Sequence, residues 1–164
     1  MIKQLLSFKN AFKGIWYTIK SESHMRFHMV AGFYVLVFSV FYNFSATQTA
    51  LLVFLIASIM FAEIINTCIE ELCNFVADRY EPIVKIVKDM AAGAVLVLSI
   101  ASAIVAILFF WNIPVIMQIF SYFAENVFML ILFAISALFS LVFVIWGPIG
   151  IKTGFLRLKF KNKN

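Results

Sequence analysis

The chain has 164 residues, of which 64% are hydrophobic and 13% are charged, and its mean hydropathy is +1.02. Soluble domains are usually about half apolar and about a quarter charged, so this composition excludes a soluble globular enzyme and a disordered chain. The two cysteines are too few for a disulfide scaffold or a four-ligand zinc site. The class that remains is a small all-α integral membrane protein.

One surface helix and four membrane spans are predicted along the chain. Residues 5–20 place apolar side chains at helical spacing and lysines on another face, which is typical of an amphipathic helix in the headgroup layer. The long apolar stretches that follow are predicted to be helices, because about 20 helical residues cross a hydrocarbon core of about 30 Å. These stretches are residues 27–44, 49–69, 90–111 and 127–146, with a short interfacial helix predicted at 114–124 and a helix stop at Gly147-Pro148.

Lysine and arginine are confined to one side of these predicted spans. They occur before residue 27, between residues 79 and 88, and after residue 151, whereas the loops 43–48 and 112–126 contain neither. The positive-inside rule therefore predicts that both termini and the loop 70–89 lie in the cytoplasm. The net charge of +5 is interpreted as a membrane-facing inner surface that needs no nucleic acid. The basic tail is interpreted as a topology anchor, with an anionic-lipid site as the alternative.

The second predicted span carries five polar side chains on one face. At 100° per residue, Glu63, Asn66, Thr67, Glu70 and Asn74 fall within an arc of about 100°. An acidic side chain costs about 2.5–3.5 kcal/mol at mid-bilayer on insertion scales, so this face is a candidate functional site. Glu63 and Glu70 are two turns apart, about 10.5 Å along the axis. This separation favours two roles, a deep general base at Glu63 and a metal ligand near the cytoplasm at Glu70.

Charged residues from two other segments are predicted to approach this face. Lys88 and Asp89 precede the small residues 91–94, which permit close helix packing and would bring the pair toward Glu70. A lysine beside carboxylates and a metal ion suits phosphoryl transfer, where positioning and charge neutralisation dominate. Glu22 stands four residues before Arg26, where the surface helix meets the first span, and is a possible second carboxylate for the metal.

Simpler interpretations of the same residues stay open at this point. The polar face could join helices or relay protons in a small channel or proton-coupled carrier, and Lys88-Asp89 could be an ordinary helix start. His24 and His28 are interpreted as surface residues at headgroup level, and both cysteines as small buried apolar residues. The sequence contains neither a P-loop nor a kinase glycine loop.

Several sequence blocks resemble the small prokaryotic diacylglycerol kinases and undecaprenol kinases. The two most specific blocks follow the patterns E-x-x-N-[TS]-x-I-E and K-D-x-[AG]-[AS]-[GA]-A-V, and the resemblance covers about residues 8–110. The block around Glu22 is more similar to the Gram-positive, undecaprenol-type branch. The residues that carry the resemblance are Ala11-Phe12-Lys13-Gly14, Glu22 with Arg26 and His28, and the stretches 63–70 and 88–95.

The resemblance implies a lipid kinase of the bacterial cell membrane that uses ATP and Mg²⁺. It also implies a surface helix and three spans per subunit, assembled as a homotrimer with shared active sites. The implied acceptor is undecaprenol, with diacylglycerol, a phospholipid precursor, as the alternative. The resemblance implies that Glu63 is the base that activates the lipid hydroxyl and that Asn66 supports it. Glu22 and Glu70 are implied as metal ligands, and the implied ATP contacts are Glu22, Glu70, Tyr80, Lys88 and Asp89. The residues implied along the path of the lipid substrate are Phe12, Lys13 and Trp16.

The chain departs from the family pattern at three positions and at its end. Asn74 stands where the family commonly has Asp, Glu81 where it commonly has His, and His24 where this branch often has Asn. These departures put the affinity for the nucleotide in doubt and leave a catalytically silent relative as an alternative function. Residues 1–111 are expected to form the kinase core. Residues 112–164 are expected to add the interfacial segment, the fourth span and a basic cytoplasmic tail, which would pack around the trimer.

Overall fold

The computed structural model describes residues 2–76 and 81–161, and these residues form six helices and no strand. The all-α architecture predicted from the sequence is therefore confirmed. In chain order the helices are α1 (Ile2–Ser21), α2 (Ser23–Ser39), α3 (Ala46–Val76), α4 (Pro82–Phe110), α5 (Ile113–Glu125) and α6 (Val127–Lys161).

The first predicted span is shorter than expected. Helix α2 has 17 residues and ends at Ser39, five residues before the predicted end of the span, so its length is about 26 Å at 1.5 Å per residue. The apolar residues beyond it form a turn whose aromatic rings pack on the end of α4. The hydroxyl of Tyr42 donates to the carbonyl of Phe110 at 2.9 Å, and the two rings lie 4.8 Å apart. Contacts with α4 therefore take these residues out of the helix.

Three helices of the described part are long and apolar enough to cross a membrane, and they cover the other three predicted spans. They are α3, α4 and residues 127–151 of α6. Helix α3 begins at a capping box, because the Ser45 amide donates to Gln48 Oε1 at 2.9 Å and the Gln48 amide donates to Ser45 Oγ at 3.2 Å. Helix α4 begins at Pro82, whose missing N–H is not needed in a first turn.

The C-terminal part contains the predicted interfacial helix, α5, and a helix that is broken where the sequence predicts a stop. Asn112 caps α5 by accepting a hydrogen bond from the Val115 amide at 3.3 Å. Inside α6, Gly147 has a φ of 63° and a ψ of 178°, a conformation that interrupts the helix. Helical structure resumes after this break and continues to Lys161, which the sequence did not predict.

The helices pack so that the inner end of the bundle is polar. Helix α3 packs on α4 and α2, α6 packs along the other side of α2, and α1 crosses the ends of α2, α3 and α6. The buried polar residues are Thr18, Arg26, Glu63, Asn66 and Thr67, whereas most large apolar side chains are exposed on the helix surfaces. Exposed apolar faces are expected where helices meet lipid or other subunits. Cys68, predicted to be buried, is exposed on α3, and Cys73 is half-buried.

Candidate active site

Glu63 lies at the centre of the polar end and is 2% exposed. Its carboxylate faces α2, where Nε2 of His28 lies 3.3 Å from Oε1 of Glu63. The hydroxyl of Thr67 donates to the backbone carbonyl of Glu63 at 2.9 Å, which occupies that hydroxyl within the helix. A buried carboxylate requires a polar or charged partner, and His28 supplies one from the neighbouring helix.

The position of His28 corrects the interpretation drawn from the sequence. It was expected to be a surface residue at headgroup level, but its side chain is only 16% exposed and it contacts the candidate base. The sequence signal was weak, because a histidine near a basic residue is usually solvated. Only its place in the resemblance block with Glu22 and Arg26 indicated a possible role in the site. The rotation of α2 that turns His28 toward α3 is a property of the packing.

Asn66 and Glu70 continue the polar face of α3 toward the C-terminal end of the helix. The side-chain amide of Asn66 donates to Oε1 of Glu70 at 3.0 Å. The other polar atom of Asn66, Oδ1, is buried and has no hydrogen-bond partner among the described residues. Buried polar atoms are nearly always paired in folded proteins, so an unpaired acceptor beside two carboxylates suits a ligand that brings its own donor.

Glu22 joins this group from the corner between α1 and α2. It occupies the N-cap position of α2 without a side-chain capping bond, and it is half-buried. Burial raises the pKa of the Glu22 carboxyl, and the negative charges of Glu70 and Glu63 raise it further, against a smaller lowering by His24 and Ser21. The fold thus places Glu22 within electrostatic reach of both Glu70 and Glu63.

The donor set fits a magnesium ion that binds together with a phosphate ligand. No three His, Cys, Asp or Glu side chains in residues 2–76 and 81–161 converge as a complete metal site. Mg²⁺, however, is usually held by one or two carboxylates, with waters and substrate phosphates completing its octahedron. Glu22 and Glu70 supply such carboxylates, and the repulsion between them is of the kind that a divalent cation relieves.

Lys88 lies near the site but does not pair with Glu70. Its ammonium group donates to Oδ1 of Asn74 at 2.6 Å, one helical turn beyond Glu70 toward the C-terminal end of α3. Asn74 stands where the family resemblance implies an Asp, and its amide is neutral, so this hydrogen bond of Lys88 involves no opposite charge. Asp89, next in the chain, is exposed, and Tyr80 lies outside the described residues.

Helix α1 does not bring its predicted lipid-contacting residues into the site. Phe12 and Trp16 are 69% and 50% exposed, and Lys13 is exposed as well. The helix is tied to α3 by a pair that the sequence did not reveal, in which the Tyr17 hydroxyl donates to Oε1 of Glu71 at 2.6 Å. The Glu71 carboxylate raises the pKa of the Tyr17 hydroxyl through this bond and through its charge.

A cavity of about 350 Å³ opens beside Glu63, between α2, α3 and α4. A second cavity of about 250 Å³ borders it and extends between the same helices with an almost wholly apolar lining. Phe27, His28 and Ser99 line both cavities. The candidate base therefore faces a space whose other side is apolar, as the acceptor site for a lipid alcohol would require. The first cavity is lined by His24, Phe27, His28, Glu63, Asn66, Ala92, Val95, Leu96 and Ser99.

Comparison with known proteins identifies the family to which this site belongs. A family model described as prokaryotic diacylglycerol kinase matches residues 9–110, which end with α4 and leave α5 and α6 outside the match. The chain is 35% identical to an undecaprenol kinase of Bacillus subtilis over 104 residues, 63% of this chain and 85% of the relative. It is 33% identical to a diacylglycerol kinase of Synechocystis sp. over 102 residues, 62% of this chain and 58% of that relative. The chain therefore belongs to the prokaryotic diacylglycerol kinase family and is a lipid kinase.

Proposed function

We propose that this protein transfers the γ-phosphoryl group of ATP to the hydroxyl of undecaprenol at the cytoplasmic face of a bacterial cell membrane. The observation that carries the proposal is the buried Glu63 carboxylate, which contacts His28 and faces a cavity that is polar at Glu63 and apolar beyond it. A lipid alcohol can place its hydroxyl at the carboxylate and its chain in the apolar space. The similarity to an undecaprenol kinase over 104 residues supports the choice of acceptor.

Glu63 is the proposed general base. As the acceptor hydroxyl oxygen bonds to the γ-phosphorus, its proton passes to Glu63, and the bond between the γ-phosphorus and the β,γ-bridging oxygen breaks to release ADP. His28 holds the carboxylate toward the cavity from α2. Asn66 donates a hydrogen bond to Glu70 and so supports the Glu70 carboxylate on the same face of α3 as Glu63.

The nucleotide is proposed to bind on the cytoplasmic side of Glu63. Glu22 and Glu70 would hold Mg²⁺, which when bound neutralises phosphate charge. Lys88 would contribute a positive charge at the phosphates, because its present partner is a neutral amide. Asp89 and Tyr80 are assigned to the ATP site, and Phe12, Lys13 and Trp16 to the lipid path, on the resemblance alone. The proposed assembly is a homotrimer, for which the exposed apolar helix faces offer ample contact surface.

Diacylglycerol is the second candidate acceptor, and one feature of the cavity favours it. Ser99 and Ser102 line the apolar cavity, and their hydroxyl oxygens are buried and have no hydrogen-bond partner in the described part of the chain. The ester carbonyls of diacylglycerol could accept from them, whereas a polyprenol has no acceptor besides its hydroxyl. A channel or carrier function, in contrast, has no support once the chain is a member of a kinase family.

Purified protein in mixed micelles, given labelled ATP and Mg²⁺, tests the proposal when undecaprenol and diacylglycerol are offered separately. We expect labelled undecaprenyl phosphate as the main product. The control is Glu63→Gln, which should lower turnover at least about a hundredfold, the smallest usual contribution of a general base, and leave ATP binding intact. Product from diacylglycerol alone would reassign the acceptor, and retained turnover in Glu63→Gln would remove Glu63 from its role.

A further inference from the structure

Arg26 is a buried cation whose partners are backbone carbonyls rather than carboxylates. It is 5% exposed and lies on α2, one turn after Glu22. The guanidinium donates to the carbonyls of Ile19 and Lys20 in α1 at 3.0 and 3.2 Å, and to the carbonyl of Val144 in α6 at 3.1 Å. One side chain therefore joins the C-terminal end of α1 to the segment of α6 just before its break at Gly147, more than 100 residues later in the chain.

These three carbonyls are free because each helix ends there. Helix α1 ends at Ser21, and the carbonyls of Ile19 and Lys20 lack an amide donor four residues later, whereas the Thr18 carbonyl accepts from the Glu22 amide. In α6 the donor for the Val144 carbonyl would be the amide of residue 148, which is Pro148 and has no N–H. The guanidinium has five N–H donors and a positive charge, and the C-terminal end of a helix carries partial negative charge. Arg26 satisfies the unpaired acceptors and is neutralised by both helix ends.

Gly147 shapes the α6 end so that Arg26 can reach it. Its φ of 63° favours glycine, and a Cβ atom built there would lie 3.0 Å from both Cζ and Nη1 of Arg26. Helix α6 also runs alongside α2, because the Tyr34 hydroxyl lies 2.8 Å from Oγ of Ser136. The added span is therefore bonded to the kinase core at the polar end and along the helix.

We propose that the C-terminal span, which lies outside the family match, is a working part of the catalytic site. Through Arg26 it locks the corner between α1 and α2 and so positions Glu22 for Mg²⁺ and nucleotide phosphate. Two backbone hydrogen bonds across this corner carry the constraint to Glu22. The Glu22 amide donates to the Thr18 carbonyl at 2.8 Å, and the Arg26 amide donates to the Glu22 carbonyl at 3.4 Å. Arg26 is thus a positioning residue, and this inference rests on the proposed role of Glu22.

Gly147→Ala in the full-length protein tests the inference, with Ile145→Ala as the matched control. Ile145 is in the same turn of α6 as Val144 and is 61% exposed. In Gly147→Ala the strained φ and the clash displace the guanidinium. We expect hydrogen exchange of the amides in residues 18–28 to accelerate at least fivefold in protein free of metal and nucleotide. We also expect the Mg²⁺ concentration for half-maximal activity to rise at least fivefold, while the KM for the lipid changes less than twofold.

The outcomes separate this inference from the function on which it rests. If the wild-type protein phosphorylates no lipid, the proposed function fails, whereas the exchange measurement still reports on the corner. If the wild type is active and Gly147→Ala matches Ile145→Ala in exchange and in Mg²⁺ requirement, the inference is overturned. A uniform loss of kcat with an unchanged Mg²⁺ requirement overturns it as well. If Gly147→Ala does not fold, Arg26→Lys, which keeps the positive charge but cannot bond both α1 and α6 as the guanidinium does, must raise the Mg²⁺ requirement, and an unchanged requirement overturns the inference.

Discussion

The contact between His28 and Glu63 makes the sharpest prediction about catalysis, and His28→Leu is the perturbation that removes it. The distance of 3.3 Å is longer than the usual 2.7–2.9 Å of a charge-assisted hydrogen bond, but the two side chains are only 16% and 3% exposed. An interaction of a polar group with an ionised group contributes about 1.5–3 kcal/mol. At about 1.36 kcal/mol per decade of rate, kcat should fall between about tenfold and about a hundredfold.

The assay is the initial rate of lipid phosphorylation at saturating ATP and lipid. His28→Gln is the matched variant, because its amide can approach Oε1 of Glu63 from the same helix position, and it should keep kcat within about threefold of wild type. Full activity of His28→Leu would refute the reasoning that this contact holds the base. If the glutamine variant is as slow as the leucine variant, the imidazole itself, and not its contact with the carboxylate, is required.

Two further predictions concern stability. Because the pKa of Glu22 is raised in the folded state, the metal-free protein loses stability as the pH rises from the ordinary carboxyl pKa toward the raised one. Glu22→Gln should therefore raise the unfolding temperature in EDTA at pH 8 and leave it unchanged at pH 4. An equal gain at both pH values would contradict the raised pKa, which burial and the neighbouring carboxylates cause. Gly32→Ala should lower the unfolding temperature in detergent, because the added Cβ would lie 2.8 Å from Cγ2 of the stiff Ile56 side chain. Such overpacking costs about 1–3 kcal/mol, which exceeds the gain of about 0.5–1 kcal/mol in helix propensity. Gly14→Ala, where a Cβ meets nothing within 4 Å, is the control and should stabilise the protein.

The family resemblance and the structure answer different questions about the added span. Residues 112–164 were expected to pack around a trimer, an assembly that a single chain does not test. What the structure shows is packing inside the same chain, along α2 and against the inner corner. Packing of this span around a trimer stays a prediction, and within the chain its described contact at the polar end is the guanidinium of Arg26.

The amino-acid sequence alone determined the all-α membrane architecture and the polar face of α3. Both are encoded locally, since apolar length decides whether a helix can cross a bilayer and the 100° period decides which side chains share a face. The break at Gly147 and the short helix α5 were predictable for the same reason, because glycine, proline and capping residues act within one turn.

The partners of the site residues were decided only by the tertiary structure. His28 contacts Glu63, Lys88 contacts Asn74 in place of Glu70, and Arg26 contacts α6 at Val144. Each contact depends on how the helices are rotated and shifted against their neighbours. Those rotations depend on side chains that interlock across helices far apart in sequence. Periodicity within one helix specifies which face is polar, but it contains no information about which residue of another helix lies opposite.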